Sequence, residues 1–148
     1  MAFSFSLQTL LRFRQSREQQ QELHLRAANQ RVAAVRDEIA KIDLRLQLAR
    51  TAQLRCLQTG ATAVELQFER LCEAVLREHH VRMRKELAQR EKSRDEERVR
   101  FEQARRERET VEALRDRQLL LYQQEIRRRE QRQLDDLFLL RRQYLRQR

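Results

Sequence analysis

The sequence predicts an all-α protein, a long two-helix antiparallel coiled-coil hairpin with an extended second helix. Three observations predict it. The 148 residues contain no proline and one glycine, so tight turns are nearly ruled out and the elements must be few and long. Apolar residues recur at alternating steps of three and four. A single turn signal, Thr59-Gly60-Ala61-Thr62, interrupts the chain.

Helix one is expected over about residues 6–58. Leu25, Ala28, Val32, Val35, Ile39, Ile42, Leu46 and Ala49 form an a/d seam that ends near Cys56. The same frame carried backwards reaches Leu11 and Leu7 but passes Arg14, Glu18 and Gln21. That section is therefore expected to pair loosely.

The turn is placed at about 59–62. Gly60 can take the left-handed conformation that closes a helix, and Thr62 with Glu65 has the capping-box spacing.

Helix two is expected over about 63–146, with Val64, Phe68, Leu71 and Val75 as its first seam against helix one. Between Ala88 and Thr110 apolar residues thin out, and Glu86/Arg90, Glu96/Arg100 and Glu102/Arg106 are spaced for i,i+4 ion pairs. This stretch lies opposite the polar part of helix one, so flexing or separation is expected there. Reflection about the turn puts Leu7 opposite residue 114 and leaves roughly thirty residues of helix two unpaired, or ~50 Å at 1.5 Å per residue. Leu137 to Leu140 is an apolar run on that stalk, which suggests contact with another protein.

The composition excludes several function classes. One glycine cannot build a phosphate-cradling loop. His79-His80 has no second ligand cluster at helical spacing, and Cys56 and Cys72 have neither metal nor redox spacing, so neither metal nor cofactor is expected. Asp135 and Asp136 point about 100° apart on a helix, and a two-helix rod has no concave pocket, so no enzyme and no small-molecule substrate are expected. No apolar run approaches the roughly 20 residues of a membrane span, which predicts a cytoplasmic protein. The formal net charge of +10 suits nucleic acid, an anionic membrane or an acidic protein. Arg127-Arg128-Arg129 ahead of Leu134 is too short of leucine heptads for a basic zipper. A basic coiled-coil nucleic-acid binder stays an alternative.

Two segments carry a family resemblance. Phe5-x-Leu7-x-x-Leu10-Leu11-Arg12-x-Arg14 and Gln131-Arg132-Gln133-Leu134-Asp135-Asp136-Leu137 resemble the start and the late segment of the FliJ family, stalk proteins of the flagellar type III export apparatus. Asp136 stands where glutamate is more usual. The resemblance implies a coupling protein whose paired terminal ends enter the pore of the hexameric export ATPase. Leu7, Leu11, Arg12, Arg14, Leu134, Leu137, Leu140, Arg141 and Arg142 would then meet the pore wall. It also implies docking on the cytoplasmic domain of the export gate through Phe68, Cys72, Val75 and His79, and exchange of export chaperones. Membrane contact would come only through the gate, at the inner-membrane export apparatus. The equivalent stalk of an injectisome is the nearest alternative.

Overall fold

A computed structural model describes residues 3–146. Two helices account for nearly all of them: α1, Gln8–Thr59, and α2, Ala63–Arg146. Among the described residues there is no strand. The chain packs as two compact units: residues 19–102 form one, and residues 3–18 with 103–146 form the other.

In the 19–102 unit the turn is built as its residues dictate. Gly60 has φ of 76°. The Ala61 N–H reaches back to the Cys56 carbonyl at 3.0 Å, satisfying one of the carbonyls that α1 leaves open at its end. The Thr62 N–H donates to Glu65 Oε2 at 2.8 Å, while the Glu65 N–H donates to Thr62 Oγ1 at 3.4 Å, a reciprocal capping box that starts α2. These bonds from Thr62 hold the Glu65 carboxyl below its ordinary pKa.

The α1 seam is the expected one. Ala28, Val32, Val35, Ile39, Ile42 and Leu46 are buried, with Leu25, Ala49 and Cys56 half-buried in the same frame. The α2 seam is not. Val64, Phe68, Leu71 and Val75 are exposed, and the half-buried residues facing α1 are Leu66, Glu69, Glu73, Leu76, His80, Met83 and Leu87. The inward frame of α2 is thus offset by two residues, and it alternates apolar with polar side chains. Charged residues tolerate these positions because their stems pack on the seam while their heads pair across it. Arg50 Nε lies 3.4 Å from Glu73, His80 Nε2 lies 3.0 Å from Asp43, and Arg36 Nη2 lies 2.6 Å from Glu91. Burial pushes the Glu73 carboxyl up, but Arg77 and Arg50 together bring it below its ordinary value.

In the other unit, the start of α1 lies on α2 through Phe5 and Leu11, which are buried, and through Ala104, buried on α2. Phe3 stacks at a tilt on Tyr122, with ring centroids 5.5 Å apart. The helices are not separated here, contrary to expectation. Arg14 and Arg17 both bond Glu107, and Arg108 bridges Glu18, at 2.6 Å, and Glu112. A polar seam stays closed because acid and base alternate across it. In the 19–102 unit the local pairs along α2 differ in register from those expected: Glu86/Arg90 forms, whereas Arg100 bonds Glu97 and Arg98 bonds Glu102.

Coverage of α2 by the N-terminal segment extends to Ile126, and residues 127–145 are all exposed. This exposed end is 19 residues, or ~28 Å of helix at 1.5 Å per residue, shorter than expected. The difference comes from residues 3–7, which precede α1 and continue along α2.

Candidate interaction surfaces

The residues expected to bind partners lie on two exposed apolar surfaces, one in each unit. The first lies on α2 just after the turn. Val64, Phe68, Leu71 and Val75 follow steps of four, three and four, which put them on one face. Phe68, Leu71 and Val75 each lie two residues, about 200° of helix rotation, beyond Leu66, Glu69 and Glu73 of the inward seam. The stripe therefore points away from α1, and Phe68 is 65% exposed. Cys72 and His79 are half-buried on its flank. Of the four residues expected to dock on a gate, Phe68 and Val75 are exposed, and Val64 and Leu71 join them. The sequence signal for those two was present but assigned to the wrong side of the helix.

The second surface is the exposed end of α2. Leu134, Leu137, Leu140, Arg141 and Arg142 are all exposed there. Phe138, Arg141, Arg142 and Leu145 line a shallow groove along one face at i, i+3, i+4 and i+7. Each arginine there can pack its stem beside an apolar side chain and offer its guanidinium to a carboxylate.

The N-terminal residues expected to share this role divide. Leu7 is about one-third exposed, and Arg12 is exposed. Leu11 has no exposed surface at all, and Arg14 is half-buried on Glu107. These two side chains hold α1 on α2.

Among the described residues no group of three or more His, Cys, Asp or Glu side chains converges to hold a metal. Cys56 and Cys72 are free thiols. No helix among the described residues is long and apolar enough to cross a membrane.

The family model of the flagellar FliJ protein matches residues 3–148. The chain belongs to the FliJ family. No curated protein and no solved structure matches it. FliJ membership ties the chain to flagellar protein export, and the two-helix hairpin is the architecture the sequence predicts for it.

Proposed function

We propose that this FliJ-family protein is a non-catalytic stalk that couples the hexameric export ATPase to the cytoplasmic domain of the export gate and to export chaperones. The observation that carries the reading is the exposed end of α2, where Leu134, Leu137 and Leu140 lie beside Arg141 and Arg142. A helix that displays leucines without a partner in its own chain loses the stabilisation their burial would give, on the order of 2 kcal/mol per side chain. A partner cavity recovers it. An apolar pore wall with carboxylates at its rim fits both the leucines and the arginines.

Phe68 and Val75, with Cys72 and His79 beside them, supply the gate-docking stripe in this reading. The stripe and the exposed end share no residue, so one chain can engage both partners.

The test is the Leu137→Asp, Leu140→Asp double variant. It is expected to abolish stimulation of the hexameric ATPase while circular dichroism stays helical, because neither side chain packs within the chain. Intact stimulation would remove the C-terminal contact from the proposal.

A further inference from the structure

The turn end of the 19–102 unit displays apolar side chains on α1 as well as on α2. Leu44 and Leu48 are exposed, although each lies only two residues from a buried seam residue, Ile42 and Leu46. Two residues are about 200° of rotation. Thr51 and Arg55 continue the same face at steps of three and four. In an antiparallel helix pair the outward face of each helix looks away from its neighbour. The Leu44 face and the Phe68 face are therefore on opposite sides of the hairpin, and one rigid helix cannot cover both.

Charge distinguishes the two faces. From Leu44 to Val64 the chain carries Arg45, Arg50 and Arg55 and no aspartate or glutamate. Arg50 is engaged by Glu73. Arg45 and Arg55 are in no ion pair among the described residues. Glu38 is bonded to Lys41, and Asp37 and Glu38 lie a full heptad back, so the stretch from Leu44 to the turn holds no acid of its own. Two leucines one turn apart, flanked by two arginines outside any ion pair among the described residues, form a ridge of the kind a second helix packs against.

We infer that the Leu44–Leu48 face of α1 is a second docking surface, and that its occupant is an acidic amphipathic helix of another protein. The occupant's leucines would lie along Leu44 and Leu48 while its carboxylates take Arg45 and Arg55. A second copy of this chain fits less well. Its own α1 face repeats the same positive charge, and use of its α2 stripe would join hairpins head to tail into open-ended chains. The inference does not depend on gate docking, which uses the other side.

The test is fluorescence anisotropy with the full chain and a labelled helical peptide of about 21 residues, bearing leucines at i, i+3, i+4 and i+7 flanked by glutamates. A control peptide of equal composition has its leucines moved off the stripe. Binding of the first peptide is expected to weaken at least tenfold in Leu44→Ala, Leu48→Ala and in Arg45→Glu, Arg55→Glu. It is expected to change less than twofold in Phe68→Ala, Val75→Ala. All these side chains are exposed, and circular dichroism checks that each variant stays helical. Equal binding of the control peptide, no effect of the α1 variants, or loss in the Phe68 variant would overturn the assignment. So would sedimentation showing self-association that both sets of variants abolish, which would give the face to a second copy.

Discussion

Two kinds of contact hold residues 3–18 on α2, and replacing one residue of each decides which dominates. Leu11 is fully buried, so Leu11→Ala removes apolar contact and leaves a gap that two helices fill poorly. The expected cost is about 2–3 kcal/mol, the low end for core leucines, because a two-helix seam has room to collapse. Glu107→Gln removes the carboxylate shared by Arg14 and Arg17. Those side chains keep a quarter to a half of their exposure, so solvent screens the pair and the loss is about 1 kcal/mol. Native-state amide exchange of residues 12–18 reads both. Opening is expected to rise roughly 30- to 150-fold in Leu11→Ala and roughly fivefold in Glu107→Gln. In wild type, 1 M salt shortens the screening length to about 3 Å and should reproduce only the smaller effect. If Glu107→Gln or salt alone opened the segment more than Leu11→Ala, the seam would be held by its charges, and the apolar account of it would be wrong.

Gly60→Ala places a Cβ in open space but in a left-handed backbone, so about 1 kcal/mol and a few degrees of melting temperature are expected to be lost, read by thermal circular dichroism. Thr62→Ala removes the cap of α2 and is expected to cost about 1 kcal/mol in denaturant titration, with exchange rising first in residues 63–68. The carboxyls of Glu38, Glu65, Glu73, Glu109 and Glu125 are all held below their ordinary value near 4.5. Depressed carboxyls contribute stability that is present above that value and lost as pH falls through the lowered ones. Helix content followed from pH 7 downward should therefore hold until about pH 4.5 and then decline; a decline beginning near neutrality would contradict the assignment. Phe68→Ser is expected to leave the melting temperature nearly unchanged, whereas Leu76→Ser lowers it, since only Leu76 lies in the seam. The opposite order would restore the inward reading of the Phe68 stripe.

The α1 seam could be read from the sequence because every a and d position from Leu25 to Ala49 is apolar. The turn was equally legible, since Gly60, Thr62 and Glu65 each satisfy a specific backbone requirement. The α2 seam was hidden for two reasons. Its inward positions include Glu69, Glu73 and His80, which a search for apolar periodicity passes over. A second apolar stripe of the same period, Val64 to Val75, sits two residues away and takes the signal. Periodicity alone reports that a face is apolar; the cross-helix ion pairs decide which face is inside. Similarly, the length of the exposed end was overestimated because Phe3 and Phe5, outside any helical pattern, pack on α2.

The position of that second stripe is itself an argument for function. Turning α2 by half a revolution would bury Val64, Phe68, Leu71 and Val75, four apolar side chains whose burial is worth on the order of 2 kcal/mol each. The same rotation would expose Leu66, Leu76, Met83 and Leu87 and part Arg50 from Glu73, Arg36 from Glu91 and His80 from Asp43. Those contacts fix the frame, so the stripe beside the turn does not reach the seam. Stability alone would place polar residues on such an outward face. Four apolar residues kept there in register, away from the chain's own core, are what a surface built to receive another protein requires.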